Sequence, residues 1–213
     1  MPTLSSNPPR TLIDLVLPDR PRAYGRLVDA VLVVLFSGFV ALSARIAVPL
    51  PFTEVPLTGL TLGVLFTGAV LGSRRGGMAL LLYLLEGVAG LPVFAPSAVL
   101  PPGIGRLLGP TGGYLIASPL AAAVVGALAE RGWDRKPSLM ALAMVLGNVV
   151  IYAIAILWLT RFTGSLWLAL VRGMFPFIPG DLIKIGIATL ALPGGWSLVR
   201  RLGGRREQPV QRP

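Results

Sequence analysis

The sequence predicts an all-α integral membrane protein, a bundle of six transmembrane helices. Hydrophobic residues make up 54% of its 213 residues and charged residues only 13%, about half the charged share of a typical soluble domain. The apolar residues form long runs that lack the polar face of a helix in a soluble protein. Most of the remaining charges fall in short clusters between these runs.

Six runs approach the ~20 mostly apolar residues that a spanning helix needs. The first, at 27–44, contains a single charge, Asp29, and the second, at 55–73, contains none. The third, at 78–90, follows a pair of arginines and carries Glu86 near its end.

The remaining three helices follow in the same way. We expect the fourth in the later part of the uncharged run 107–129, the fifth at 137–160 and the sixth at 181–199. A polar tail at 1–25, which lacks the apolar segment of a secretory signal, precedes the membrane domain at 26–200. A basic tail at 201–213 is predicted to be disordered.

The basic residues predict the orientation of the bundle. Cytoplasmic segments of membrane proteins are enriched in Lys and Arg. With both termini in the cytoplasm, fourteen of the 19 basic residues lie on the inner side, and Lys184 lies within the sixth helix. The four outer ones are Arg45, Arg106, Arg161 and Arg172. The net charge of +10 is therefore a topology signal, and nucleic-acid binding is not expected.

This orientation places three long connections on the outer face. They span 49–58, 90–113 and 160–180, and they are rich in Gly, Pro and aromatic residues. The inner connections are short and basic. We therefore expect any ligand site at the outer face.

The segment PFIPGDLIKI at 176–185 is the strongest local signal for a site. Asp181 opens an apolar helix, and Lys184, three residues later, lies on the same helical face. Ionisable groups inside a membrane usually mark a ligand path, and this pair offers an acceptor and a donor at a helix N-terminus. Alternatively, Asp181 is an N-cap and the Lys184 amine extends to the interface.

Three weaker candidates lie in the other outer connections. Gly112 and Gly113 would let backbone N–H groups approach a ligand, and Tyr114 adds a stacking face with a hydroxyl. Taken alone, these residues are more simply explained by a plain loop-to-helix turn, because Gly-rich turns are common. Thr58 is available in the first connection, which could also be a rigid connector. Arg106 could meet a ligand carboxylate or could be a solvated loop arginine.

Several blocks of the chain resemble one known family. They are GLPVFA at 90–95, LLGPTGGYL at 107–115, VIY at 150–152 with a Trp-Leu pair after it, and PFIPGDLIK at 176–184. Together they resemble the BioY family, the biotin-specific S-components of energy-coupling-factor (ECF) importers. The resemblance covers about 26–200.

The resemblance implies a six-helix bundle in the cell membrane that binds biotin at its outer face. It also implies a transmembrane coupling subunit and a pair of ATP-binding cassette ATPases as partners. The family's Asp-x-x-Lys motif maps onto Asp181 and Lys184, and its Gly-Gly-Tyr onto Gly112, Gly113 and Tyr114. The chain departs from the family at Leu60, where a Gln is expected, and in a less Gly-rich second connection.

Other classes of function fit less well. The chain has no Cys and no His, which excludes disulfides, thiol chemistry, imidazole bases and Cys-based metal sites. We expect no catalytic residues, no metal and no cofactor other than the ligand biotin. An intramembrane enzyme acting on a lipid or peptide, and a stand-alone vitamin carrier, remain as alternatives.

Overall fold

The computed structural model describes residues 11–16, 22–97 and 100–204, and most of these residues are helical. Nine α-helices are present in this part of the chain. They are α1 (Leu12–Val16), α2 (Arg22–Arg45), α3 (Leu60–Leu71), α4 (Ser73–Val88), α5 (Ile104–Leu108), α6 (Gly112–Ala129), α7 (Pro137–Thr163), α8 (Leu166–Gly173) and α9 (Ile178–Gly204).

The helices α2, α3, α4, α6, α7 and α9 correspond to the six predicted ones. Four segments are long and apolar enough to cross a membrane: Tyr24–Arg45, Gly112–Ala129, Pro137–Thr163 and Leu166–Val199. Helix α3 has only 12 residues and α4 has 16. The membrane character is therefore confirmed, whereas the count of six spans stays a prediction.

Several helix boundaries differ from the predicted ones; for example, α2 begins at Arg22 and α4 at Ser73, each five residues earlier than predicted. The second helix begins at Leu60 because the residues before it form a short strand. The last helix begins at Ile178, so Asp181 lies within its first turn and does not cap it. Helix α9 also continues to Gly204, past the predicted boundary at 200. The rest of the predicted C-terminal tail lies outside the described residues, as does most of the N-terminal one, apart from 11–16, which include α1, and 22–25, which begin α2.

Helix α6 lies at the centre of the bundle, in contact with α3, α4 and α7. Small residues allow this close packing. A Cβ added to Gly68 would lie 2.2 Å from the Ala122 carbonyl oxygen, so α3 and α6 meet backbone to backbone. The turn between α3 and α4 is equally tight because Gly72 adopts φ 87°, which favours glycine.

The three long connections contain ordered structure. An antiparallel pair of two-residue strands, β1 (Ala47–Val48) and β2 (Leu57–Thr58), closes the first connection. Helix α5 lies in the second and α8 in the third, where a 3₁₀ turn at Phe175–Phe177 leads into α9. Residues from all three connections line one cavity, which places them together at one end of the bundle.

Polar contacts tie the helices together at the other end. Arg75 of α4 bridges Asp14 of α1 and Asp29 of α2, with N–O distances of 2.7 and 2.8 Å. The carboxylate of Glu130, after α6, accepts hydrogen bonds from the backbone N–H and hydroxyl of Ser73 at 2.7 and 2.9 Å. This carboxylate therefore satisfies a free N–H at the start of α4.

Candidate functional site

The cavity under the long connections is the candidate site. About 620 Å³ inside it is free of protein atoms, counting its open mouth. Its walls are mainly apolar, with several polar side chains. The lining residues are Val55, Pro56, Thr58, Leu60, Thr61, Phe94, Ala95, Arg106, Thr111, Tyr114, Leu115, Tyr152, Phe177, Asp181 and Lys184.

Asp181 forms the centre of the polar part of the cavity. Its residue surface is only 5% exposed, and a buried carboxylate is costly unless it is paired and hydrogen-bonded. One oxygen, Oδ2, accepts a hydrogen bond from the Tyr152 hydroxyl. The other, Oδ1, accepts from Lys184 Nζ at 3.1 Å and from the Thr61 hydroxyl at 3.3 Å. Position in the first turn of α9 also favours its negative charge.

Lys184 compensates this charge from one helical turn further along α9. Its amine also donates to Thr61 Oγ1 at 2.8 Å, so α3 and α9 are joined at the cavity. The predicted pairing of Asp181 with Lys184 is therefore present. The lysine amine points to the cavity and Thr61 and does not extend away to an interface, as the alternative interpretation required.

Two tyrosines pack against each other in the cavity wall. The rings of Tyr114 and Tyr152 meet edge to face, with centroids 6.4 Å apart. The Tyr114 hydroxyl donates to the Gly173 carbonyl oxygen at 2.5 Å, which ties α6 to the end of α8. Tyr114 thus lines the cavity, and its hydroxyl holds the third connection in place. Its predicted contact with a ligand stays a prediction.

Arg106 is buried in the second connection, with 7% of its surface exposed. Its guanidinium donates to the carbonyl oxygens of Ala95, Leu100 and Pro101 at 3.1–3.2 Å. The interpretation of Arg106 as a solvated arginine is therefore wrong. Burial lowers its pKa from the ordinary value, and it forms no salt bridge with any described carboxylate.

The other polar side chains of the cavity wall are the uncharged hydroxyls of Thr58 and Thr111. The Thr58 hydroxyl accepts from the backbone N–H of Leu60 at 3.2 Å, at the start of α3. The buried Thr111 hydroxyl has no hydrogen-bond partner within the described part of the chain. A buried polar atom without a partner is costly, so this hydroxyl is available to a polar ligand atom. Phe94 and Phe177 add aromatic surface to the wall.

Gly112 and Gly113 are not among the residues that line the cavity. A Cβ at Gly112 would lie 1.8 Å from the Leu107 carbonyl oxygen, and one at Gly113 would lie 2.6 Å from Trp158 Cβ. Both glycines therefore allow α6 to pack closely against α7 and α5. Their predicted contact with a ligand stays a prediction.

The local patterns did not single out Tyr152, which hydrogen-bonds Asp181. It lies inside the apolar run of α7, where an aromatic residue is common, and its only signal was the VIY block. Glu86, the charge near the end of the third predicted helix, has a partner within the bundle, because its Oε2 accepts from the buried Ser37 hydroxyl of α2 at 2.6 Å.

Comparison with known proteins gives a consistent picture. The model of the BioY family matches residues 19–201. A protein of Rhodobacter capsulatus named "Biotin transporter BioY" is 42% identical over 176 residues, covering 76% of this chain and 90% of its own. A "Probable biotin transporter BioY" of Pyrococcus horikoshii is 38% identical over 159 residues, covering 75% and 90%.

A solved structure shares the fold. It is a crystal structure of the S-component for biotin from an ECF-type ABC transporter, and it matches with a TM-score of 0.68. The alignment covers 89% of this chain and 96% of the other, at 22% sequence identity.

Proposed function

The chain belongs to the BioY family, and we propose on this basis that it is the substrate-binding membrane subunit of a biotin importer. The Asp181–Lys184 pair in the cavity is the observation that carries the proposal. Relatives named as biotin transporters favour transport over the intramembrane enzyme that the sequence left open.

The polar groups of the cavity suit the ureido ring of biotin. That ring offers two N–H donors and one carbonyl acceptor. The Asp181 carboxylate can accept from an N–H, while Lys184, Thr61 and Tyr152 supply donors that can turn to the ureido oxygen. Apolar residues and the ring of Phe94 would cover the fused rings and the valeryl chain.

Arg106 suits the other end of biotin, its carboxylate. Asp181 and Lys184 neutralise each other, so Arg106 leaves one uncompensated positive charge in the cavity lining. Three of its five N–H groups hold the second connection, and the other two have no partner among the described residues. An anionic ligand would therefore complete the charge balance of the cavity.

Ligand binding by the purified protein tests this function. Biotin is expected to bind tightly, desthiobiotin more weakly, and thiamine and riboflavin not at all, since neither has a saturated cyclic urea with two N–H groups or a carboxylate. Isothermal titration against these four compounds measures the order. Equal binding of all four, or of none, would overturn the proposal.

The proposed orientation places the cavity outside the cell and both termini in the cytoplasm. It rests on the distribution of basic residues and on the position of the three connections at one end. A single cysteine at the exposed Ser97 should react with an impermeant maleimide in intact cells, whereas one at the exposed Ser138 should not. The chain has no native cysteine to interfere. Reversed labelling would contradict the orientation.

Energy for uptake is proposed to come from partners, a coupling subunit and two ATPases. A phosphate-binding loop needs a lysine directly after a glycine, and neither Lys136 nor Lys184 meets this condition. The purified chain should therefore bind biotin without hydrolysing ATP. ATP hydrolysis by a homogeneous preparation would refute this, and uptake in cells that lack a coupling module would identify a stand-alone carrier.

A further inference from the structure

A second cavity lies beside the first, under the same three connections. It is larger, with about 1450 Å³ free of protein atoms when its open mouth is counted. Its walls come from the first connection, the second connection, the end of α7 and α8. The lining residues are Pro49, Leu50, Pro51, Phe52, Thr53, Glu54, Val55, Pro56, Pro96, Ser97, Leu159, Phe162, Thr163 and Arg172.

The two cavities share a boundary. Val55 and Pro56 line both of them. On the second connection, Ala95 lines the first cavity while the next residue, Pro96, lines the second. Arg106 donates to the Ala95 carbonyl oxygen at 3.1 Å, so its guanidinium lies near this boundary. A ligand held near Arg106 therefore ends beside the second cavity, and Val55 and Pro56 are the residues that it would pass to enter it.

The second cavity carries one charge of each sign. Glu54 and Arg172 are both exposed and both line it. Neither forms a salt bridge within the described residues, and they are not paired with each other. Around them the surface is largely apolar, with Leu50, Phe52 and Phe162 in the wall. This combination suits a short apolar chain that ends in an ammonium and a carboxylate.

We propose that the second cavity is a subsite for biotin extended through an amide bond to the side chain of lysine, as in biotinyl-lysine. The inference rests on the proposed function, since the biotin end would occupy the first cavity. Arg106 would then donate to the amide oxygen in place of the free carboxylate. Beyond it, the butyl chain follows the apolar wall, Glu54 receives the ammonium and Arg172 receives the carboxylate.

The test compares biotin with biotinyl-lysine on the parent protein and three variants. The parent should bind biotinyl-lysine within about tenfold of biotin. Because exposed ion pairs contribute up to ~1 kcal/mol, Arg172→Gln and Glu54→Gln should each weaken biotinyl-lysine roughly three- to fivefold. Binding of biotin itself should not change. Arg45→Gln is the matched control, because Arg45 is exposed but lines neither cavity.

A second ligand shows whether Arg172→Gln acts by removing a charge or by disturbing the fold. The methyl ester of biotinyl-lysine lacks the carboxylate, so it should bind the parent as weakly as biotinyl-lysine binds Arg172→Gln, and Arg172→Gln should not weaken it further. Tight binding of biotin with no binding of biotinyl-lysine would overturn the subsite alone, as would variants that weaken both ligands equally. Failure of biotin to bind would overturn the proposed function and the subsite with it.

Discussion

A buried aspartate lies at each end of helix α9, and the two carboxylates have different hydrogen-bond partners. Asp181 lies in its first turn with 5% of its surface exposed. Asp134 lies in the connection between α6 and α7, is fully buried, and contacts Trp196 near the other end of α9. Both carboxylates are shielded from water, so burial alone does not distinguish a site from a structural contact.

Their partners distinguish them. Asp181 has a counter-ion, Lys184, and hydroxyl donors from Thr61 and Tyr152, and it borders a cavity. Asp134 accepts from the Trp196 indole N–H at 2.5 Å, and its Oδ1 has no partner among the described residues. Burial raises its pKa above the ordinary value, against the smaller opposing effects of Trp196 and Arg135.

A carboxylate with several donors beside a cavity can exchange one of them for a ligand at little cost. A carboxylate with one donor in a packed joint cannot, because losing that donor leaves it unsatisfied. This difference supports the proposed ligand binding at the Asp181 end of α9 and predicts that the Asp134 end anchors the helix.

Removing the charges at the Asp181 end should have the largest effect. Asp181→Asn and Lys184→Met should each weaken biotin binding ten- to a hundredfold, because a hydrogen bond to a charged group contributes ~1.5–3 kcal/mol. Lys184→Met should also lower the melting temperature, since it leaves a buried carboxylate without its counter-ion. Titration calorimetry and thermal unfolding measure the two effects.

The double variant Asp181→Asn/Lys184→Met is the control. It restores neutrality, so its melting temperature should recover towards that of the parent while binding stays weak. Parent-like binding by both single variants would show that the pair is structural, and the contrast between the two ends of α9 would disappear.

Removing one hydrogen-bond donor at each end of α9 should have smaller effects, on biotin affinity at the Asp181 end and on stability at the Asp134 end. Tyr152→Phe should weaken biotin binding by about tenfold, because Asp181 keeps Lys184 and Thr61. Trp196→Phe should leave affinity within about twofold but lower stability by ~1–3 kcal/mol, because it removes the indole donor to Asp134. A loss of biotin affinity in Trp196→Phe as large as in Tyr152→Phe would contradict the division of roles.

Neutralising Asp134 should have the smallest effect, and one that depends on pH. Because folding raises its pKa, the folded state favours the protonated form. The contribution of Asp134 to the free energy of unfolding is most favourable below the ordinary pKa of 3.8. It is lost as the pH rises through the raised pKa of the folded state. Asp134→Asn keeps an acceptor for Trp196 without this titration.

The melting temperature of Asp134→Asn should therefore exceed that of the parent by roughly 2–4 °C at pH 7, and by less at pH 4. Biotin affinity should be unchanged. Thermal unfolding at both pH values checks this, and a variant less stable than the parent at pH 7 would show that the Asp134 charge is stabilising.

The sequence by itself determined the local features of this protein. Long uncharged runs predict membrane helices because the bilayer core excludes charge, and each of the six runs corresponds to a helix of the structure. The i, i+3 spacing of Asp181 and Lys184 predicted their pairing because helix geometry is local. Distinctive sequence blocks, such as PFIPGDLIK at 176–184, were enough to indicate the family.

Only the tertiary structure decided which distant residues join that pair. Thr61 and Tyr152 lie on α3 and α7, 120 and 29 residues from Asp181. In a soluble helix, the apolar stripe shows which face is buried. In a membrane helix, both the lipid-facing and the packed surfaces are apolar, so the pattern does not identify the inward face.

Packing also decided the roles of the second connection. Gly112 and Gly113 suggested a ligand contact by composition, which stays a prediction, and the structure shows in addition that the close approach of α6 to α5 and α7 uses the space that a side chain would fill. Arg106 is buried because three carbonyl oxygens from 95–101 converge on it. Such convergence depends on how a loop folds back over a bundle, and residue spacing along the chain does not encode it.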